Sequence, residues 1–188
     1  MNTSKTKLIV LWLSAIALSG CQHTHKEVPV ANYPTRPRLM TEASVYVPIP
    51  PDGHFKKDLV VDSGKLTAVI VRDAFAKYVK RAYIGRRIES FDGSLKTAQD
   101  NNCRYLVYAT VVLWENHSTE FSGRTDKVEI KIEVADSVSG EILHATTLRG
   151  RSRLFTGGGD SPQDLLQEPI QSYAASLFQI VHVPSALQ

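Results

Sequence analysis

The chain has 188 residues, with 22 basic and 19 acidic side chains, 43% hydrophobic residues and two cysteines. That length fits one domain with a sizeable core, and two cysteines are too few for a disulfide framework. A net charge of only +3 excludes the dense basic stripe that non-specific nucleic-acid binding needs.

The first element is a three-part leader. Lys5 and Lys7 precede the uncharged run Leu8 to Leu18 (LIVLWLSAIAL), and Ser19-Gly20 supplies small residues before Cys21. This is the layout of a secretory signal peptide over residues 1–20. The run is too short for a membrane-spanning helix, which needs about 20 apolar residues. Leu18-Ser19-Gly20-Cys21 resembles the lipobox of bacterial lipoproteins. The resemblance implies cleavage between Gly20 and Cys21, diacylglycerol on the Cys21 sulfur and an acyl chain on its new amine. Acyl chains add about 0.8 kcal/mol per buried methylene, and two already anchor a protein stably. By the sorting rule of enteric bacteria, Gln22 in place of aspartate implies export to the inner leaflet of the outer membrane. The mature chain keeps 20 basic and 19 acidic residues, a formal charge of +1. No other cofactor is expected.

Residues 21–42, the lipidated N-terminus followed by a segment with three prolines and no helical or strand period, are expected to form a flexible tether. His23 and His25 within it make an incomplete metal site, and no metal is expected. The folded domain is expected over residues 43–183, with 184–188 as a tail. In SVYVPIP (44–50), Val45, Val47 and Ile49 alternate as in a strand, which Pro50-Pro51-Asp52-Gly53 stops. Helical spacing follows: Leu66, Val69, Ile70, Ala74 and Tyr78 share a face, with Asp62 or Ser63 as N-cap. YIGRRIES is a weak strand, and SLKTAQDNN a short helix capped by Ser94 or Asp92. RYLVYATVVLWEN (104–116) is a β-branched and aromatic run that predicts a central strand covered at least partly on both faces.

KVEIKIEV alternates Val128, Ile130, Ile132 and Val134 with charged residues, a strand with one wet face. The turn DSVSG leads to EILHATTLRGRSRLF, an antiparallel partner. A last helix begins at Asp160 or Ser161, carries Pro162 in its first turn, and shows the stripe Leu166, Ile170, Tyr173 and Leu177. Pro169 should kink or split it. The order β-α-β-α-β-β-β-α predicts an α+β fold, a mixed sheet with helices packed mainly on one face.

SVYVPIP, NNCRYLVYATVVLWEN and SPQDLLQEPIQSYAASLF together resemble the bacterial lipoproteins grouped as domain of unknown function 4823. The Asp-Leu-Leu-x-x-Pro stretch, Asp164 to Pro169, is the specific part; Asn102-Cys103 stands where such families usually place Gly-Ala. The element order is also similar to the N-terminal domain of the Tol-system protein TolB and the periplasmic part of curli secretion lipoproteins. That second likeness carries no activity. The family has no assigned chemistry, so the resemblance implies address and fold rather than mechanism.

No G-x-S-x-G elbow, HExxH, CxxC or phosphate-loop lysine is present. Gly157-Gly158-Gly159 ahead of a helix could cradle an anion but reads more simply as loop. Cys103 could be a nucleophile activated by His117 or His144; it reads more simply as a small buried residue at a helix-to-strand turn. Arg149, Arg151 and Arg153 alternate on the last strand and point one way. They could meet phospholipid headgroups, peptidoglycan carboxylates or an acidic protein patch, or be a solvated face balanced by Glu129 and Glu133. Leu106, Tyr108, Val112 and Trp114 are expected to share one face of the central strand and to need a lid from elsewhere, such as another subunit. These readings imply a lipid-anchored, non-enzymatic binding or scaffolding domain for an envelope protein or peptidoglycan. The alternative is an envelope hydrolase acting on peptidoglycan or lipid.

Overall fold

The structure is a computed structural model and describes residues 23–28, 37–117, 125–152 and 161–178. Its strands are β1 (His23–Val28), β2 (Ser44–Ile49), β3 (His54–Phe55), β4 (Asp58–Leu59), β5 (Arg81–Ile88), β6 (Tyr105–Glu115), β7 (Lys127–Asp136) and β8 (Ile142–Arg151). The helices are α1 (Ser63–Ala76), α2 (Phe91–Asp100) and α3 (Asp164–Phe178). Six strands form one sheet in the order β1-β8-β7-β6-β2-β5, and β3 and β4 make a separate small hairpin. β2 runs parallel to both β5 and β6, while β6, β7 and β8 form an antiparallel meander. From β2 onward, the hairpin apart, the order is the expected β-α-β-α-β-β-β-α, and the α+β mixed sheet holds.

The charged and apolar residues of β7 alternate as the sequence dictates, with Val128, Ile130, Ile132 and Val134 turned into the core. That core lies under α1 and α3 on one face, joined by Val45, Val47, Val107 and Leu148 of the neighbouring strands. Burying a side chain of this size stabilises by roughly 1.5–3 kcal/mol, so this face carries most of the stability. α2 covers part of the other face, where Tyr46, Ala98, Cys103 and Leu106 form a smaller cluster. The stripe of α3 is as expected, with Leu166, Ile170, Tyr173 and Leu177 all buried. Pro169 is buried inside a continuous helix rather than splitting it. As the sixth residue, it removes one backbone donor near the helix start and leaves the later ladder intact.

Several expectations need correction. The buried side of α1 is Thr67, Ala68, Val71, Ala74 and Phe75, and Leu66 is exposed. Apolar residues run almost all round this helix, so periodicity left its phase open. Asp62 stands at the N-cap position in a left-handed conformation without a side-chain cap bond. The cap comes instead from Asp52, ten residues away, whose carboxylate accepts from the backbone N–H of Asp62 (3.2 Å) and of Gly64 (2.8 Å). α2 begins earlier than Asp92, at Phe91, with the Ser90 hydroxyl accepting from Gly93 N–H.

The shared face of Leu106, Tyr108, Val112 and Trp114 does not exist. A bulge between Val111 and Leu113 shifts the register, so Trp114 pairs with Val128 and is buried in the core under α1 and α3. An extra residue in one strand reverses the side-chain alternation beyond it, and periodicity alone cannot announce it. Tyr108 meets Phe91 of α2 edge-on at 5.4 Å, so the lid over that part of the strand is α2.

The sheet also starts earlier than expected. His23–Val28, within the expected tether, lies antiparallel along β8, with His23 opposite Gly150 and Val28 opposite Ala145. Pairing at a sheet edge uses backbone groups and demands no side-chain period. Leu39 is buried and its N–H donates to the Leu177 carbonyl (3.1 Å), so the fold takes in residues ahead of Ala43. Residues 29–36 of the expected tether, the signal peptide, Cys21, Arg153, the Gly157–Gly159 loop and the tail at 184–188 lie outside the described residues.

Candidate functional site: two surface clefts on the half-covered face

The first cleft opens where α2 stops short of the edge strand β5. Its volume is about 420 Å³, and Tyr46, Tyr83, Arg86, Arg87, Glu89 and Asn101 are among its lining. Tyr46 of β2 pairs directly with Tyr83 of β5, so both rings stand on the same face. Two residues along, a Cβ on Gly85 would sit 2.8 Å from the Tyr46 hydroxyl. The missing side chain lets that hydroxyl reach Glu89, to which it donates at 3.0 Å. Arg87 Nε donates to the other Glu89 oxygen at 3.1 Å. Burial, with the Glu89 carboxylate beside it, pushes the Tyr46 phenol up to about 12. It is therefore a donor at neutral pH. Glu89, with 8% of its side chain exposed, has one bond on each oxygen and is held as a positioned acceptor.

The second cleft, about 200 Å³, lies between the ends of β6, β7 and β8 and is lined by Leu113, Lys127, Glu129, Arg149 and Arg151. Arg149 and Arg151 do project from the same side of β8, as the alternation predicts. Arg149 binds Glu129 in a two-pronged pair, at 2.7 Å through Nε and 2.8 Å through Nη2. Those hydrogen bonds raise its already high pKa, and the charge is permanent. Arg151 Nε donates to the Thr125 hydroxyl at 2.9 Å. Glu133 pairs with Lys131 rather than with an arginine. The expected charge balance across β7 and β8 thus holds for one of its two acids.

Cys103 is not assembled with a histidine. Burial pushes its thiol up to about 11, away from the thiolate a nucleophile requires. His117 follows the far end of the eleven-residue β6, roughly 35 Å along the strand from Cys103. His144 sits opposite Val134, a residue of the core under α1 and α3, while Cys103 belongs to the cluster on the other face. Asn102, before Cys103, has a φ of 53°. Asparagine is one of the few residues that tolerates this left-handed region. Asn102-Cys103 therefore preserves what Gly-Ala would provide, a left-handed turn followed by a small buried side chain.

Among the described residues no group of three His, Cys, Asp or Glu side chains could hold a metal ion. No helix among them is long and apolar enough to cross a membrane.

The model of the family described as domain of unknown function 4823 matches residues 37–177. The chain belongs to that family. The match takes in both clefts. No curated protein matches the chain. The PelC dodecamer from Paraburkholderia phytofirmans is similar in structure, with a TM-score of 0.63, 16% identity, and coverage of 84% of this chain and 98% of that one. A hypothetical protein from Chlamydia trachomatis aligns with a TM-score of 0.49 and 11% identity over 73% of this chain and 96% of its own. The LpoB C-terminal domain from Salmonella enterica aligns at 0.40 and 10% identity, over 60% and 84%. At 16% identity the property shared with the PelC chain is the fold.

The 420 Å³ cleft was missed in the sequence. Its signal is the alternation Tyr83, Gly85, Arg87 on one side of β5, a strand too short of apolar residues to be central.

Proposed function

We propose that this family member is a lipid-anchored envelope protein, attached through Cys21 to the inner leaflet of the outer membrane, whose domain binds another envelope component without catalysing a reaction. The cleft between α2 and β5 carries the reading. Its tyrosines, arginines and Asn101 are donors and flat surfaces. Its buried carboxylate, Glu89, is fixed by two hydrogen bonds. Such a lining suits a polar, hydroxyl- and carboxylate-bearing polymer, and peptidoglycan fits that chemistry. An envelope protein is the other partner class. The cysteine version of the envelope-hydrolase reading is disfavoured by the burial of Cys103 and its raised thiol pKa.

The test is co-sedimentation of the mature chain with purified peptidoglycan sacculi, with photo-crosslinking from Tyr83 in cells. Binding lost in Tyr83→Ala with an unchanged melting temperature supports the reading. A crosslink to a protein instead, with no sacculus binding, moves the partner to the second class. Release of soluble fragments from sacculi would overturn the non-catalytic assignment.

A further inference from the structure

β5 breaks its pairing with β2 at the edge of the larger cleft. Val47 pairs with Ile84 and Ile49 with Ile88, so β2 has one residue, Pro48, where β5 has three, Gly85, Arg86 and Arg87. Proline has no N–H to give the ladder, and extra residues opposite it make a bulge. Gly85 lets that bulge close up, since a Cβ there would stand 3.0 Å from Pro48 Cα and 3.3 Å from the Ile49 nitrogen. Successive residues of a regular strand face opposite ways, yet Arg86 and Arg87 both border the cleft.

The charges of the lining do not cancel. They are these two guanidiniums and the Glu89 carboxylate, which leaves one positive charge. Both Glu89 oxygens already accept a hydrogen bond, one from Tyr46 and one from Arg87 Nε. Arg87 itself is 81% exposed. Held through Nε, it has no partner on Nη1 or Nη2 among the described residues, and neither the Arg86 guanidinium nor the Tyr83 hydroxyl has one there. From the end of α1 to the start of β5 and on α2, the exposed acids Glu42, Asp92 and Asp100 are outnumbered by Lys77, Lys80, Arg81 and Lys96. The surroundings therefore leave the charge of the cleft in place.

We propose that Arg87 is the anion reader of this cleft: Glu89 fixes its guanidinium through Nε, and the free fork of Nη1 and Nη2 takes a carboxylate of the ligand in a two-pronged bond, with Arg86 beside it. Two parallel donors match the two oxygens of a carboxylate, and one uncompensated positive charge suits a singly charged group. Glu89 also bears part of the entropic cost, because an arginine already held at Nε has less freedom to lose on binding. The inference rests on the proposed function for the source of that carboxylate, the peptide stems of peptidoglycan, but the fork can be tested without them.

The mature chain carrying Cys21→Ser is sedimented with purified sacculi and with sacculi whose carboxylates have been converted to amides. Binding is expected to the first and not to the second. Arg87→Gln should weaken it roughly fivefold or more with an unchanged melting temperature. Arg87→Lys, which keeps the charge without the fork, should restore only a small part. Equal binding to amidated sacculi, or full rescue by lysine, overturns the fork. Undiminished binding in Arg87→Gln where Tyr83→Ala abolishes it sinks this inference alone, and undiminished binding in both variants sinks the cleft as the site. A second arm needs no sacculi. Acetylalanine, its amide and inorganic phosphate are titrated into isotope-labelled protein, with nuclear magnetic resonance read at the Gly85 amide and Arg87 Nε. Acetylalanine should shift both signals and its amide neither, and the Gly85 shift should vanish in Arg87→Gln. No shift with acetylalanine overturns the anion site whatever the sacculi show, and tighter binding of phosphate overturns the carboxylate assignment. Shifts with acetylalanine from a protein that leaves sacculi unbound would overturn peptidoglycan as the source.

Discussion

Alanine in place of Gly64 should destabilise this protein, although helix propensity argues the opposite. In a helix, Gly→Ala is favourable by up to about 1 kcal/mol. At Gly64, however, a Cβ would stand 2.1 Å from the Pro50 carbonyl oxygen and 3.1 Å from Asp52 Oδ1. An ordinary carbon–oxygen contact needs about an ångström more, and Pro50 O is backbone, so the start of α1 must move. That motion pulls Gly64 N–H from Asp52 Oδ1, now at 2.8 Å, and strains the Gly53 N–H bond to Ser63 Oγ, also at 2.8 Å. Overpacking costs about 1–3 kcal/mol, and losing a hydrogen bond to a carboxylate about 1.5–3. Part of the two overlaps, so the expected net loss is about 2–3 kcal/mol, or a fall in Tm of roughly 5–10 °C for a domain of this size. Gly93 in α2 is the control. Its Cβ would meet only Ser90 Oγ, at 3.2 Å, and Glu89 Cβ, at 3.9 Å. Gly93→Ala should gain about 0.5 kcal/mol. Urea unfolding of the mature chain, followed by circular dichroism, reads both changes as midpoint shifts. Shifts of the same sign and size in the two variants would refute the account of how α1 begins.

Alkaline conditions should destabilise the domain in two stages. Cys103 and Tyr46 have folded pKa values raised to about 11 and about 12, so the unfolded chain ionises first and stability, full below about pH 9, falls as pH rises through both values. Cys103→Ala should flatten the first stage and Tyr46→Phe the second; a wild-type midpoint constant from pH 8 to 12 would contradict this. Cys21→Ser should leave an uncleaved or soluble precursor, and normal processing with retention in salt-washed membranes would refute the lipid anchor. Gln22→Asp should move the protein to inner-membrane fractions of a sucrose gradient, and no redistribution would remove that residue's sorting role. Glu89→Gln should weaken sacculus binding several-fold with the fold intact, since it loosens the Tyr46 and Arg87 bonds that shape the cleft; undiminished binding would place the contact elsewhere.

Much of the architecture was legible because burial has a period. Strands β2 and β7 and helix α3 write their core faces directly into apolar spacing. The misses share a cause: they depend on backbone partners distant in sequence. Asp52 caps a helix ten residues on, the Val112 bulge turns Trp114 to the other core, and β1 joins an edge using groups every residue carries. The arginines of β8 were legible as a row, but not that Glu129 already holds Arg149. The α2–β5 cleft was hidden for a different reason. It exists because Gly85 lacks a side chain and α2 ends early, and an absence has no periodicity.

The pairing of β1 with β8 has a consequence in time. His23 and Gly150 are neighbours in space but stand far apart in the sequence. Contacts of such separation form late, after the loop between them has been shortened by other structure. The sheet from β8 through β5 is continuous without β1, so the domain can complete its core first and take up the N-terminal strand as the last step. The same strand is then the first to leave, since opening an edge disturbs no interior packing. Under the proposed anchoring at Cys21, such a chain would have two lengths: a short one with the strand docked and the domain close to its leaflet, and a longer one with the strand released. Exchange of the β1 amides with deuterium, faster than those of β7, would measure how often it changes between them.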